Sequence, residues 1–96
     1  MAEERRVPKI RMEGESYEAA VNANRERLSE AIVDAVEFAI ETDADQVEVF
    51  EVDGHDLVFS LARSEMPTAL DGCISYYESV EEYVECARII NLKNKL

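Results

Sequence analysis

Residues 46–61 read QVEVFEVDGHDLVFSL, and this stretch decides the fold class. Asp53 and Gly54 form the strongest turn signal in the sequence, and the residues on both sides of them are rich in valine, leucine and phenylalanine. Such residues favour strands, and an Asp-Gly pair between two strands is typical of a tight hairpin. The sequence therefore predicts an antiparallel β-hairpin over residues 46–61.

The pairing of the two strands follows from the turn. If residues 52–54 form a three-residue loop, Val47 faces Phe59 across the hairpin. Side chains alternate between the two faces of a strand, so one face would pack on a helix. That face holds Val47, Val49, Leu57, Phe59 and Leu61. The other face carries Phe50 and Val58, which are apolar and therefore require cover from another segment or from a second chain.

A long helix is predicted before the hairpin. Ser16 is a suitable N-cap, and apolar residues recur at three- and four-residue steps beyond it, so the helix is placed at residues 15–42. Its apolar stripe widens towards the end, which indicates burial on more than one side. Residues 1–13 form an arm, and residues 7–12 within it are either an edge strand or part of a tail.

A helical hairpin is predicted after the strands, over residues 66–96. Its first helix begins near Pro67 and contains Gly72, which is expected to permit close packing. Ser79 and Glu82 match a capping box, so the second helix is predicted to begin at Ser79. The fold class is therefore α+β, in a single domain: a long N-terminal helix on an antiparallel β-hairpin, with a third edge strand as an option, followed by a helical hairpin.

Acidic residues dominate the charge pattern. The formal net charge is −12, and no lysine or arginine occurs between Arg27 and Arg63. Such a surface repels nucleic acid and anionic membranes and attracts a basic protein surface, although acidity also serves solubility alone. The carboxylates predicted to contact a basic partner lie around the end of the long helix: Glu37, Glu41, Asp43, Asp45 and Glu48.

The C-terminal helices carry more apolar residues than one small hairpin can bury. Tyrosine is common in interfaces because it combines a large contact area with a polar tip. Plain core packing is the alternative explanation for the same residues. The sequence predicts a homodimer or a partner contact through this apolar set: Tyr76, Tyr83, Ile89, Leu92 and Leu96.

Residues 83–91 read YVECARIIN, and Leu96 follows them. This run resembles the second helix of a UVR-type helical hairpin, in which a leucine is common at the position of Leu96. Leu70 and Ile74 fit the first helix of such a hairpin. The resemblance covers residues 68–96. Hairpins of this type mediate protein contacts in excision-repair proteins and in adaptors of Clp-type proteases, so the resemblance implies an interaction module.

Few residues suggest chemistry. His55, the only histidine, stands between Asp53 and Asp56, as a general base held by a carboxylate would, but an ordinary polar turn has the same pattern. The carboxylates could also bind Ca²⁺ or Mg²⁺, but their spacing does not match an EF-hand. Cys73 and Cys86 lie on apolar stripes amid acidic residues, which favours small core residues over reactive thiols. No cofactor is predicted.

Three hypotheses for the function follow. The first is a non-enzymatic acidic adaptor or modulator that acts through protein–protein contact. The second is a nucleic-acid mimic, cellular or phage-encoded, that inhibits a DNA- or RNA-binding protein. The third is a small enzyme or metal-binding protein centred on His55. None involves direct binding to nucleic acid or a membrane, and the lack of a visible signal peptide or long apolar run predicts a cytoplasmic location.

Overall fold

A computed structural model describes residues 7–10, 24–52 and 57–96. The elements in chain order are β1 (Lys9–Ile10), α1 (Arg25–Thr42), β2 (Gln46–Val52), β3 (Leu57–Ala62), a 3-10 turn (Arg63–Glu65), α2 (Met66–Ser79) and α3 (Tyr83–Asn94). The predicted α+β class is confirmed. The predicted helix start at residue 15 and the hairpin turn with His55 lie outside the described residues.

The sheet has three strands in the order β1–β2–β3. β1 runs parallel to β2, with Ile10 opposite Val52, and the amide of Glu51 donates a hydrogen bond of 2.8 Å to the Pro8 carbonyl. The edge strand, one of the two alternatives predicted for residues 7–12, is therefore present. β2 and β3 form the predicted antiparallel hairpin. The sheet is therefore mixed, with one parallel and one antiparallel pair of strands.

A β-bulge in the middle of β2 makes the predicted register wrong. Val47, predicted opposite Phe59, pairs with Leu61, and Phe50 pairs with Phe59 instead. The extra residue turns two successive side chains inward, so Val49 is fully buried and Phe50 is only 4% exposed. The rings of Phe50 and Phe59 stack with their centroids 5.1 Å apart. Phe50, predicted on the outer face, thus finds cover within the chain.

The far end of β3 is less covered than the sequence predicted. β3 lies at an edge of the sheet, and α1 packs chiefly on β2. Leu57 and Phe59 were predicted to pack on the helix, yet they are 61% and 41% exposed. Val58, predicted on the outer face and expected to be covered, is also exposed. This end of the hairpin therefore presents apolar side chains to solvent.

Helix α1 lies between the sheet and the C-terminal helices. Ala35, Val36 and Ala39 are fully buried, and the small alanine side chains allow close approach of the sheet. α1 contacts both β2 and α2. Its wide apolar stripe is therefore buried on two sides by elements of the same chain. The core continues into the C-terminal helices through Met66, Leu70 and Ile89, which are also fully buried.

The C-terminal end of α1 is held by an arginine from the end of β3. Asp43 follows the helix in the left-handed conformation, with φ of 53°. The amide of Ala44 donates a hydrogen bond of 2.9 Å to the Ala39 carbonyl, which closes the last turn. The Arg63 guanidinium donates to the carbonyl oxygens of Ala39 and Ala44, at 3.5 and 3.1 Å. This side chain ties the sheet to the end of the helix.

The turn between α2 and α3 lies later in the chain than the capping box predicted. α2 continues through Ser79, and α3 begins at Tyr83. Glu81 adopts the left-handed conformation with φ of 60°, and the amide of Glu82 donates a hydrogen bond of 2.8 Å to the Tyr77 carbonyl. A left-handed residue of this kind ends a helix. The predicted helix start at Ser79 is therefore wrong, because that run forms a helix end.

Candidate partner-binding site

Four of the predicted partner-binding carboxylates surround the C-terminal end of α1 and the start of β2. Glu41 lies in the last turn of the helix, Asp43 caps it, and Asp45 and Glu48 follow, all four exposed. The C-terminal end of a helix carries partial negative charge, so carboxylates there disfavour the folded state. No basic residue lies in the last turn of α1. The Arg63 guanidinium, which bonds to two carbonyls at the same helix end, offsets part of this negative charge.

Glu37, the fifth carboxylate, is engaged by an arginine from α3. Its Oε2 lies 3.1 Å from Nη2 of Arg88, and the same guanidinium is 3.4 Å from Glu85 and 4.0 Å from Asp34. The hydrogen bond to Glu37 raises the pKa of Arg88, so the guanidinium stays charged. These side chains are largely exposed, and water screens their attraction. The network nevertheless joins α3 to α1 and fixes the position of three acids.

A cleft of about 620 Å³ lies beside this network, between α1 and the turn that joins α2 to α3. We call it the acidic cleft. Arg88 is the one cation among the described residues that line it. The lining carboxylates come from both sides: Glu26, Glu30, Asp34, Glu82 and Glu85. The remaining wall is apolar or aromatic and consists of Val33, Tyr76, Tyr77 and Val80. Its volume falls within the range of small-molecule sites.

Tyr77 is the most deeply placed polar residue of the acidic cleft. The residue is only 7% exposed, and its hydroxyl makes no hydrogen bond with any other described residue. Among the described side chains, no completely buried nitrogen or oxygen lacks a partner, so this hydroxyl touches the open space of the cleft. Burial, reinforced by the carboxylates of Glu30 and Glu85, raises the pKa of Tyr77 to about 12. The phenol is therefore neutral at physiological pH.

Tyr76 forms the outer part of the aromatic wall. Its ring meets that of Tyr77 edge to face, with the centroids 5.2 Å apart. The Arg25 guanidinium lies 5.9 Å from the centroid of the Tyr76 ring, which is within the range of a cation–π contact. Tyr76 was predicted to belong to an apolar contact surface. It is instead half-buried and lines the acidic cleft.

The predicted apolar partner residues of α3 are divided between the core and the surface. Ile89 is fully buried and Leu92 is 6% exposed, while Leu96 is half-buried against the same core. Ile89 and Leu92 are therefore inaccessible to a partner in the folded monomer and follow the alternative explanation, core packing, while a contact through Leu96 stays a prediction. Tyr83, from the same predicted set, is 61% exposed, and Ile90, which was not in that set, is 47% exposed.

The exposed face of α3 contains a residue that the sequence analysis did not select. Val84 is 82% exposed beside Tyr83, which was predicted to contact a partner and is accessible. We call Tyr83, Val84 and Ile90 the outer stripe. A helix with apolar residues on both sides gives no local signal for which side is buried. Here the position of α2 decides, because it covers the side with Ile89.

The candidate chemical groups are either inert or outside the described residues. Cys73 and Cys86 are both buried and unpaired, and burial raises the pKa of Cys73 to about 11. Within residues 7–10, 24–52 and 57–96, no three His, Cys, Asp or Glu side chains are grouped to hold a metal ion. The same ranges contain no helix long and apolar enough to cross a membrane. His55 and its neighbouring aspartates are not described.

Comparisons with protein-family models, with curated proteins and with solved structures found no match to this chain. The resemblance of residues 68–96 to a UVR-type hairpin therefore stays a prediction. The paired helices α2 and α3 are compatible with it, but any short helical hairpin would be. Function is accordingly argued from the acidic and apolar surfaces themselves.

Proposed function

We propose that this chain is a non-enzymatic adaptor or modulator that binds a basic protein surface through its carboxylates. The observation that carries the proposal is the exposure of Glu41, Asp43 and Asp45 at the negative end of α1. Carboxylates in that place oppose the helix dipole, and the Arg63 guanidinium is the counter-charge described at the same end. A basic partner surface would relieve this repulsion on binding, and opposite charges would also speed the encounter.

We also propose that the chain is a cytoplasmic homodimer. The outer stripe of α3 supports self-association, because three apolar side chains of one helix are exposed to solvent. The cytoplasmic location is supported by two buried thiols that remain unpaired, as is usual in a reducing compartment. Light scattering at micromolar concentration tests the dimer. A mass near the 10.9 kDa of one chain would contradict it.

The electrostatic proposal is tested by capture of partner proteins from a lysate at low and high salt. We compare the wild-type chain with the double variant Glu41→Gln/Asp45→Asn, which removes two exposed charges next to the end of α1. Capture of basic proteins should fall with added salt, and it should fall further in this variant at low salt, because screening and neutralisation act on the same attraction.

The matched control for that experiment removes the same number of charges elsewhere. Glu78 and Glu81 are exposed near the end of α2 and line no part of the acidic cleft. The variant Glu78→Gln/Glu81→Gln should retain capture within about twofold of the wild type. Equal loss in both variants would mean that only total charge matters, and it would overturn the assignment of the partner surface to the end of α1.

A nucleic-acid mimic, cellular or phage-encoded, is the second candidate, and one observation favours it. Carboxylates recur along α1 at steps of three or four residues, which places them about 5–6 Å apart in a row. This row consists of Glu26, Glu30, Asp34, Glu37 and Glu41. A mimic should displace DNA or RNA from a captured partner, while Tyr83→Asp/Ile90→Asp should leave it active. The adaptor proposed above also binds through carboxylates but predicts no displacement of nucleic acid, so the displacement assay separates the two candidates.

A further inference from the structure

We propose that the acidic cleft binds one primary alkylammonium group, supplied by a lysine side chain of the basic partner. The inference deepens the proposed function and rests on it, because it names a specific subsite within the acidic surface. It differs from general charge attraction in that it requires one cavity with a defined polar floor. The cleft lies between α1 and the α2–α3 turn, so both the helix surface and the turn would contact the ligand.

The floor of the acidic cleft contains a hydrogen-bonding group that nothing in the described chain uses. The Tyr77 hydroxyl is on a residue that is 93% buried, and it has no hydrogen-bond partner among the described residues although it reaches the open space. Because the hydroxyl oxygen is not fully enclosed, a ligand that enters the cleft can reach it. An ammonium group has three donors and no acceptor, so it can donate to the oxygen of this hydroxyl.

The carboxylates around the hydroxyl favour a positive ligand. Arg88 is shared among Asp34, Glu37 and Glu85, so the cleft's own cation is already occupied. Glu26, Glu30 and Glu82 also line the cleft, and none of them has an ion-pair partner among the described residues. Glu30 and Glu85 lie near enough to Tyr77 to affect its titration. A cation at the hydroxyl would therefore have carboxylates on both sides.

The shape of the cleft favours an organic cation over a metal ion. No three carboxylates of the described chain converge as metal ligands. The space is also much larger than one ion requires, and its wall includes Val33, Val80 and the ring of Tyr76. The methylene stem of a lysine would pack on these apolar groups while its ammonium end approaches Tyr77. Arg25 beside the Tyr76 ring is an intramolecular example of a cation on this wall.

Binding can be measured with a capped trilysine peptide as the probe. The chain has no tryptophan, and two of its four tyrosines, Tyr76 and Tyr77, line the cleft, so titration with the peptide can be followed by the change in tyrosine emission. We expect saturable binding of one peptide per chain in the wild type and at least a tenfold loss when the lysines are Nε-acetylated, which removes their charge. Spermidine is the second probe. Displacement of the peptide by spermidine supports ammonium chemistry, and tighter binding of spermidine would assign the site to a free polyamine.

Two cleft variants and one control test the location of the site. Tyr77→Phe keeps the ring and removes only the hydroxyl, and it should weaken peptide binding about tenfold, since a hydrogen bond to a charged group is lost. Glu30→Gln removes one unpaired carboxylate and should weaken binding about threefold or more. Glu78→Gln removes the same charge outside the cleft and should leave binding unchanged. Circular dichroism of each variant confirms that it is folded.

The outcomes separate this inference from the proposed function. Equal binding by wild type, Tyr77→Phe and Glu30→Gln would overturn the cleft as a site, whether or not basic proteins are captured at low salt. Equal weakening by Glu30→Gln and Glu78→Gln would overturn it as well. In contrast, cleft-dependent peptide binding without any salt-sensitive capture of proteins would support the ammonium site and contradict the adaptor proposal.

Discussion

Substitution of Gly72 by alanine should stabilise the protein. Gly72 lies in the interior of α2 and is exposed, and apart from its chain neighbours and the helix's own backbone, no atom of the described residues lies within 4 Å of a Cβ atom added there. Alanine in an exposed helix interior is more favourable than glycine by about 1 kcal/mol, mainly because the unfolded chain loses freedom. The close packing predicted for this glycine is absent, so nothing opposes the gain.

The size of the effect can be converted into a melting temperature. Unfolding entropy is about 2.1 cal/mol/K per residue, so a chain of 96 residues has about 200 cal/mol/K at its midpoint. A gain of about 1 kcal/mol then raises Tm by about 5 °C, which thermal unfolding followed by circular dichroism resolves easily. The same variant should raise the urea midpoint without changing the slope of the transition.

Ala87 provides the reverse substitution in a matched setting. It is an exposed residue in the interior of α3, so Ala87→Gly should lower Tm by about as much as Gly72→Ala raises it. A decrease in Tm for Gly72→Ala would refute the reasoning, because it would require either a close neighbour at this position or a backbone conformation that is not helical.

Three other predictions concern the core and its ionisable groups. Ile89→Ala should lower the free energy of unfolding, measured by urea titration, by about 2–5 kcal/mol, because Ile89 is fully buried. The control Val84→Ala, at an exposed site, should change it by less than about 0.5 kcal/mol. Cys73, whose pKa is raised to about 11, should react with a thiol reagent at pH 8 only as the protein unfolds, and fast labelling of the native protein would contradict its burial. The free energy of unfolding should fall as the pH rises from about 10 to 12. The reason is that the pKa of Tyr77 is about 12 in the folded protein, whereas a tyrosine in the unfolded chain loses its proton near pH 10. Tyr77→Phe should reduce that fall.

The hairpin could be predicted because its signals are local. The turn residues and the apolar runs around them identify two strands without reference to any distant part of the chain. The register was wrong because it assumed unbroken alternation. The apolar positions shift from odd to even numbers between Val49 and Phe50, and that shift is the sequence sign of the bulge.

The helical hairpin shows where local signals fail. The capping-box pattern from Ser79 to Glu82 is common in turns, and here Glu81 takes the left-handed conformation that ends a helix. The orientation of α3 could not be predicted, because apolar residues occur on both its sides and only packing against α2 selects one. The acidic cleft likewise depends on residues from distant segments, so only its separate acids and tyrosines were visible in the sequence.

The parallel pairing of β1 has a kinetic consequence. Ile10 and Val52 are neighbours in the sheet but 42 positions apart in the chain, whereas β2 and β3 are joined by a short connection. Closing the larger loop costs more chain entropy. Only the pairing of a two-residue strand offsets that cost. We therefore expect the hairpin and the helices to assemble first and β1 to dock last. The buried position of Ile10 would then remain open during folding, and this is the interval in which a protease or a second chain could compete for it.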